Sequence, residues 1–352
     1  MDHRPSVLTS DTPIRRAITY GVNAPSPHNT QAWKFKITSD TEMFVYIDAN
    51  RLLPVTDPPA RQIHMGSGCF IETLAVGASA LGYATEVDYF PEGTYLFEEI
   101  GQKPVAKISL TRKAGIQQDV LFDAIYTRQT NRKPYSGPKV TDAEFAQIRK
   151  WIGQSEAEIV FLNDPAEMKS LTDIFYRAME IECFTRHTYE ETRIWFRYNE
   201  KQRAEKRDGL SLPQTGVDGL RKYVQEFYLQ NGNPKRWFSN TSISGYLKNF
   251  KDGLDTAKGI VYLKTRSNEQ LDWIKTGRTY ARFHLAITKL GFYSHVYSQV
   301  LQEFSEMAEL YKTFHKQLGI EAPARVQMAV RIGRAKKAYV AYRRNTDDFL
   351  TS

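Results

Sequence analysis

Gly68-Cys-Phe-Ile-Glu-Thr-Leu-Ala-Val-Gly-Ala-Ser-Ala-Leu-Gly-Tyr83 aligns without a gap with Gly277-Arg-Thr-Tyr-Ala-Arg-Phe-His-Leu-Ala-Ile-Thr-Lys-Leu-Gly-Phe292. Both stretches begin with glycine, end in Leu-Gly-aromatic and carry their larger apolar residues at helical spacing. The pattern predicts two helices, each with one buried stripe and a glycine cap at its end. Gly66-Ser-Gly68 is predicted to start the first helix. His284 occupies a stripe position, so it is predicted to be a packed histidine rather than a ligand.

Strand-like runs surround the two helices in the same order. They cover residues 34–37, 43–47, 84–90 and 104–110 in the first half, and 158–162, 259–263, 293–296 and 325–332 in the second. These runs are rich in β-branched and aromatic residues and have the length of strands. The repeated order predicts an α+β fold duplicated within one chain, with residues 1–117 as the first half and 118–352 as the second.

The second half contains a long insertion, at about residues 164–258. We predict that it is helical at first, over residues 168–207, and then rich in turns because of its Gly and Pro residues. A long insertion in a compact fold is commonly a lid or an interface arm. The alternative is a helical pair that only covers one face of the sheet.

Composition excludes several classes of protein. The 352 residues carry a net charge of +8, which suits an anionic ligand and, together with the basic run over residues 325–344, leaves a basic nucleic-acid or anion-binding module as an alternative. No groove-reading motif accompanies the charge, so no nucleic-acid partner is expected. The two cysteines and seven histidines lack metal-ligand spacing, and no metal is expected. Without a signal-peptide pattern or a long apolar run, the protein is predicted to be cytoplasmic and to have no membrane partner.

Two polar motifs carry possible chemistry. Ala24-Pro-Ser-Pro-His-Asn-Thr-Gln-Ala-Trp33 predicts a rigid turn between a helix and a strand, which presents amides and short side-chain donors. Arg128-Gln-Thr-Asn-Arg132 places two guanidiniums and a hydroxyl where they can hold a phosphate. The alternative for the first motif is that it only connects a helix to a strand. The alternative for the second motif is a solvated charged loop. Gly333-Arg334 ends the last strand and is a third candidate for anion binding. The phosphate-binding and nucleophile motifs GxGxxG, GxxxxGK[ST] and GxSxG are absent.

These motifs resemble those of the flavin-dependent nitroreductase superfamily. The first is similar to its APSxxNxQPW signature, with Ala32 in place of proline, and the second to its RxSxR flavin-phosphate motif. The internal duplication is most similar to the Acg-like branch, in which two nitroreductase folds are fused. The resemblance implies a pseudo-dimer with one FMN bound between the halves. Only Arg4-Pro-Ser6 and Trp151-Ile-Gly-Gln-Ser-Glu-Ala157 stand where a second, mirror-related site needs its motifs, so that site is predicted to be dead.

The resemblance also implies roles for individual residues. Arg128, Thr130 and Arg334 would hold the phosphate and ribityl chain, with Asn131 in the same segment, and Arg132 would lie beside the flavin ring. The remaining cofactor-binding residues implied in this way are Pro25, Ser26, His28 and Asn29 from the first half and Tyr297, Ser298 and Gln299 from the second. No catalytic residue is expected, because the flavin carries the chemistry.

The implied function is an FMN-dependent oxidoreductase that passes hydride from NAD(P)H to a small-molecule acceptor such as a nitroaromatic, a quinone or an enone. The alternative is an FMN-sequestering protein with little turnover, in which the insertion covers the flavin. The sequence leaves open the acceptor, the choice between NADH and NADPH, the opening of the lid, and whether the chain is a monomeric pseudo-dimer or a homodimer.

Overall fold

The first four strands form one antiparallel sheet. The computed structural model describes residues 3–351. Its first elements are α1 (Pro13–Gly21), β1 (Trp33–Ser39), β2 (Glu42–Ile47), α2 (Arg61–Ala80), β3 (Tyr83–Tyr89) and β4 (Ala106–Arg112). The strands are ordered β1-β2-β4-β3, and every neighbouring pair is antiparallel.

The last four strands form a second antiparallel sheet with the same relative order, β5-β6-β8-β7. The elements of this part are α3 (Asp142–Ile152), β5 (Glu158–Leu162), α4 (Pro165–Phe184), α5 (Arg186–Ile194), α6 (Glu200–Lys206), α7 (Gly219–Leu229), α8 (Pro234–Trp237), α9 (Asn240–Leu254), β6 (Gly259–Thr265), α10 (Gln270–Lys289), β7 (Tyr293–Val296), α11 (Ala308–Gln317) and β8 (Arg325–Gly333). Each of the eight predicted strands is present, and the α+β class is confirmed.

The helices α2 and α10 cross at the two aligned glycines. A methyl group on Gly68 would lie 2.0 Å from the carbonyl oxygen of Ile274, and one on Gly277 would lie 2.0 Å from that of Met65. Ile274 and Met65 each precede the glycine of their own helix by three residues, so the contact is reciprocal. Only glycine permits this approach of two backbones.

The ends of these two helices were predicted with unequal success. The glycine caps are confirmed, since Gly82 and Gly291 adopt φ angles of +80° and +77° directly after the terminal leucines. The predicted start at residues 66–68 is wrong, because α2 begins at Arg61. Glycine is needed there for the crossing in the helix interior and not for a helix start.

The segment between β5 and β6 contains six helices, and the turn-rich structure predicted for its second part is wrong. Helices α7, α8 and α9 follow residue 216. The glycines and prolines stand at helix ends: Gly216 caps a short 3₁₀ turn, Gly219 begins α7 and Pro234 begins α8. At these positions they are compatible with helices on either side.

Strand β6 shows how these helices are attached. Val261 and Leu263 belong to the apolar core that contains α2 and α10, whereas Ile260 and Tyr262 belong to a second core with the inserted helices and α11. Successive side chains of a strand point to opposite faces. The uninterrupted apolar run of β6 therefore reflects a strand that is covered on both faces. Over residues 3–351, no helix combines the length and apolar composition that crossing a membrane requires.

Candidate functional site

The turn between α1 and β1 is held in a conformation that is unfavourable for its residues. His28, Asn29 and Gln31 have φ angles of +45°, +54° and +51°. Non-glycine residues at positive φ cost about 1 kcal/mol each or more, so they require support from their surroundings. The Ser26 hydroxyl accepts a hydrogen bond from the Gln31 amide (2.8 Å). A strained turn that is held in place in this manner is typical of functional sites.

The Asn29 side chain fastens this turn to distant parts of the chain. Its Nδ2 donates to the carbonyl oxygens of Gly209 (3.2 Å) and Tyr342 (3.3 Å), and its Oδ1 accepts from Arg343 Nη1 (2.8 Å). The inserted segment and the C-terminal segment therefore both meet the turn at Asn29.

The turn lines a cavity of about 430 Å³. This volume lies within the range of about 300–1,000 Å³ that small-molecule sites occupy. Residues from α2, from the inserted helices and from both ends of the chain complete its wall. Nine of the sequence-predicted site residues line it, namely Pro25, Ser26, His28, Asn29, Arg128, Thr130, Arg132, Ser298 and Gln299. The structure thus brings the two motifs together, and their contact with a flavin stays a prediction.

Three of the predicted site residues do not line the cavity. Asn131 uses its side chain inside the chain, where Nδ2 donates to Lys336 O (2.9 Å). Tyr297 is buried and stacks on Phe175. Arg334 forms an ion pair with Glu144 (2.8 Å). Its guanidinium also lies over the ring of Phe292, 3.9 Å from the ring centre. The geometry gives no support to a phosphate contact from Arg334.

Two buried arginines form a cationic end of the cavity. Arg128 donates to Asn23 O (3.0 Å), and Arg343 donates to Ala24 O (3.2 Å) and to Asn29. In both side chains Nε has no hydrogen-bond partner, and within residues 3–351 neither guanidinium forms an ion pair. Buried charges that lack a carboxylate are costly, so this end of the cavity favours an anion.

The pKa values of these arginines reflect the lack of a carboxylate. Burial lowers the pKa of Arg128 to about 10, and the charge of Arg4 adds to the effect. Burial, together with the charges of Arg128 and Arg4, holds the pKa of Arg343 well below its usual range. Arg4 also lines the cavity, and its guanidinium donates to the carbonyl oxygens of Tyr126 (2.6 Å) and Arg128 (3.1 Å).

His284 is packed in the interior, as predicted, and it also positions Arg128. Its Nδ1 lies 3.4 Å from Arg128 Nη1, and its Nε2 lies 3.1 Å from Ser294 Oγ. Burial and the Arg128 charge hold the pKa of His284 well below its usual range, so the ring is neutral. These contacts fit the tautomer in which Nδ1 accepts from the arginine. The helical stripe predicted the burial of His284 but gave no sign of this contact.

The inserted segment contributes an aromatic wall. Its cavity-lining aromatic residues are Tyr189, Phe196, Tyr228, Trp237 and Tyr246, and Tyr280 joins them from α10. Tyr189 stacks on Trp237 with ring centres 4.9 Å apart, and Trp237 Nε1 donates to Tyr189 O (3.1 Å). Such a wall suits a flat, unsaturated ligand.

Among the residues of the cavity wall that sequence reasoning did not assign to it are Glu182, Arg343 and Arg4. Glu182 lies in α4 and gave no signal in the sequence. Arg343 belongs to the basic run 325–344, where the strand end at Arg334 drew attention instead. Arg4 was assigned to the mirror-related site, yet it lies beside Arg128 in this cavity.

Comparison with known proteins gives matches to part of the chain. No protein-family profile matches the sequence. The Mycobacterium tuberculosis protein (strain H37Rv) named "Putative NAD(P)H nitroreductase acg" is 25% identical over 162 residues, which cover 46% of this chain and 47% of that protein. A second protein of that strain with the same enzyme name is 30% identical over 124 residues, or 35% of this chain and 34% of its own length. The chain therefore spans half or less of the length of these relatives.

Solved structures of nitroreductases resemble the chain remotely. The FMN and NADPH-dependent nitroreductase NfnB of Sphigopyxis sp. strain HMH has 12% identity and a TM-score of 0.41, covering 66% of this chain and 98% of that one. The FMN-dependent NfnB of Mycobacterium smegmatis, solved with NADPH, has 15% identity and a TM-score of 0.36, covering 60% and 86%. The sequence matches confirm the resemblance drawn from the motifs: the chain is similar to the Acg-like nitroreductases.

Proposed function

We propose that the protein is an FMN-dependent oxidoreductase of nitroreductase type, which passes hydride from NAD(P)H to an electron-poor acceptor. The observation that carries the proposal is the cationic end of the cavity, where, among residues 3–351, Arg128 and Arg343 are buried without a carboxylate partner and each retains an unpartnered Nε. A phosphate group supplies the missing anion with several acceptor oxygens. The aromatic wall and the cavity volume of about 430 Å³ suit the flat ring of a flavin.

The residues of the cavity divide into those that fit a phosphate and those that fit a ring. Arg128, Arg343 and Arg4 would hold the phosphate, and Thr130 lies on the same segment as Arg128. Arg132 lines the cavity, and its positive charge would stabilise a reduced flavin, as the resemblance implies. When bound, FMN supplies the hydride transfer, and the protein supplies binding, orientation and charge.

The proposal includes a duplicated, nitroreductase-like architecture. The two sheets share one strand order, and the crossing glycines Gly68 and Gly277 make reciprocal contacts, as expected for two halves related by a two-fold axis. We assign residues 1–117 and 118–352 to the halves and about 164–258 to a lid. The two halves of such a chain would together form, within one monomer, the kind of cofactor site that two subunits form in a dimer.

A second candidate function is the sequestration of FMN with little turnover. It is favoured by the contacts of the inserted segment and the C-terminal segment at the cavity wall, where Asn29 donates hydrogen bonds to Gly209 O and Tyr342 O. An anaerobic visible spectrum of the FMN-saturated protein, before and after NADPH and then NADH, separates the two functions. Rapid bleaching of the oxidised flavin band supports the oxidoreductase. A bound flavin that stays yellow with both nucleotides supports sequestration.

The cationic end is tested by a matched pair of variants. We expect Arg343→Ala to weaken FMN binding by about tenfold or more, because a hydrogen bond to a charged group contributes about 1.5–3 kcal/mol. Arg334→Ala is the control, since Arg334 lies outside the cavity and pairs with Glu144. Fluorescence titration with FMN measures both. Equal losses in the two variants, or a loss in Arg334→Ala alone, would contradict this assignment.

A further inference from the structure

Glu182 places a carboxyl group on the wall of an otherwise cationic cavity. It lies in α4, the first inserted helix, and is 3% exposed. Its Oε2 accepts a hydrogen bond from Gln302 Nε2 (2.8 Å). Gln302 is equally buried, also lines the cavity, and has no hydrogen-bond partner for its Oε1 among residues 3–351. The cavity therefore presents a carboxyl group beside an unused amide oxygen.

Among residues 3–351, no cation faces Glu182. The titratable groups that face it are Cys183 on α4, Tyr189 and Glu191 on α5 and Tyr246 on α9. Gln299, Gln302 and Thr192 are its neutral polar neighbours. Burial raises the pKa of Glu182 to about 7, and the Glu191 charge adds to the rise. Glu182 can therefore hold a proton near neutral pH and release it again, as a general acid requires.

We propose that Glu182 donates the proton that an acceptor such as a quinone takes up during its reduction. Reduction of a quinone to a hydroquinone takes up two electrons and two protons. A hydride carries both electrons and one proton, and the second proton passes from the Glu182 carboxyl to a quinone oxygen as the O–H bond forms. The resulting carboxylate regains its proton from solvent. The inference rests on the proposed function, in which the reduced flavin supplies the hydride.

The pairing with Gln302 explains why the two side chains lie together. A quinone oxygen accepts a hydrogen bond before reduction and donates one after it. Protonated Glu182 serves the first state, and the free Oε1 of Gln302 can accept from the hydroxyl of the second. The aromatic wall formed by Tyr189 and Trp237 suits the flat ring of a quinone.

The experiment compares two electron acceptors, one of which takes up protons when it is reduced and one of which does not. The FMN-loaded protein is reduced with dithionite and mixed in a stopped-flow instrument with 1,4-benzoquinone or with ferricyanide, which takes electrons without protons. We expect Glu182→Gln to slow reoxidation by the quinone by about 100-fold or more, the usual contribution of a general acid, and to leave the ferricyanide rate unchanged. The wild-type quinone rate falls as the pH rises through about 7, and this dependence disappears in Glu182→Gln.

A control variant and a measurement without turnover complete the test. Glu180→Gln removes a carboxyl group from the same helix, α4, that does not line the cavity, and it is expected to keep the quinone rate. Infrared spectra of the wild-type protein without acceptor should show a carboxylic acid band that disappears as the pH is raised through about 7. The Glu182→Gln variant should lack this band.

The outcomes separate this inference from the proposed function. Wild-type protein that retains no FMN overturns both. A flavin-loaded protein in which Glu182→Gln matches wild type toward the quinone, or slows both acceptors equally, overturns the role of Glu182 alone. Loss of the quinone rate in Glu180→Gln as well would indicate a structural effect of α4 and would also overturn it.

Discussion

The two sides of the helix pair α2 and α10 hold arginines in opposite circumstances. On the cavity side, α2 contributes Cys69 to the wall, and the neighbouring Arg128 forms no ion pair within residues 3–351. The alignment of the two helices places Arg278 at the position of Cys69 on the opposite side. There, Arg278 and Arg282 both pair with Glu72, at 2.7 and 3.0 Å.

The difference between the two sides is one of charge compensation. Arg282 also pairs with Asp119 (2.8 Å) and donates to the carbonyl oxygens of Trp151 and Ile152 (3.1 Å each). Under the proposed duplication, these two residues begin the segment that stands in the second half at the position of the polar turn. On this side the chain satisfies its own arginines. On the cavity side, buried guanidiniums keep unpartnered donors, which is the condition for binding an anion.

The largest expected effect comes from disrupting the crossing of α2 and α10, which lies between the two sides. Gly277→Val places a side chain 2.0 Å from Met65 O. We expect the free energy of unfolding to fall by about 3 kcal/mol or more, because overpacking of this kind forces backbone shifts. Thermal and urea unfolding measure it. Gly245→Ala in α9, where added atoms meet open space, is the control and should gain up to about 1 kcal/mol. A stable Gly277→Val protein would refute the tight crossing.

The second prediction concerns the carboxylate of Glu72, which neutralises Arg278 and Arg282 on the side opposite the cavity. Glu72→Gln leaves Arg278 and Arg282 with fewer partners, and we expect a loss of about 2–3 kcal/mol of stability. The value is somewhat below that of a fully buried pair, because both arginines are partly exposed. FMN binding should be unchanged. The control is Glu99→Gln, whose pair with Lys103 lies at the surface and is expected to contribute little to stability. Equal stability of Glu72→Gln and Glu99→Gln in urea unfolding would argue against this network.

The third prediction exchanges arginine for methionine on each side. Arg128→Met should lower FMN affinity by about 10- to 100-fold, the loss of a charged hydrogen bond, without lowering the Tm of the flavin-free protein, because an uncompensated charge leaves the interior. Arg282→Met should lower the Tm and preserve FMN binding. Calorimetry and FMN titration on the same samples decide the matter. If both variants lose stability and both keep flavin, the two sides do not differ as described.

The last prediction concerns the pH dependence that Glu182 gives to the cavity side. Burial raises the pKa of Glu182 from 4.5 to about 7 in the folded protein, so between these values the folded state binds a proton that the unfolded chain has released. Stability contributed by this group is therefore present below about pH 4.5 and is lost as the pH rises to about 7. We expect the loss to be on the order of 3 kcal/mol.

This pH effect is isolated by subtraction. Urea unfolding of wild type and Glu182→Gln across the same pH range removes the contributions of His28 and Asp57, which both proteins share. The pKa of His28 is lowered to about 4 by burial and by Arg132, and burial raises that of Asp57 to about 6. Parallel stability curves for the two proteins would show that Glu182 does not titrate in this window.

Local patterns predicted much of the fold. The alternation of β-branched and aromatic residues located all eight strands, and the leucine-glycine ends located the caps of α2 and α10. The helices after residue 216 escaped prediction because Gly and Pro at helix ends are indistinguishable, in a single sequence, from Gly and Pro in turns. The helix start at Gly68 was misjudged because the demand for glycine came from another helix.

The candidate site was predicted where its residues lie close together in sequence. The turn at residues 25–29 and the arginine motif at 128–132 line one cavity. Arg334 was preferred to Arg343 because it follows a strand end, but the chain after β8 carries Arg343 back to the turn and leaves Arg334 with Glu144. Glu182 had no motif at all, and its burial depends on how the inserted helices pack.

The sequence by itself determined the elements of this protein, the repeat that relates its two long helices and the two motifs that meet at the cavity. These are properties of neighbouring residues, since periodicity, capping and turn chemistry act over a few positions. Only the tertiary structure decided which arginines keep free donors and which are neutralised. Arg128 and Arg282 are the same residue type, and their difference lies in carboxylates brought from elsewhere in the chain: Glu72 and Asp119 reach Arg282, whereas no carboxylate of residues 3–351 reaches Arg128.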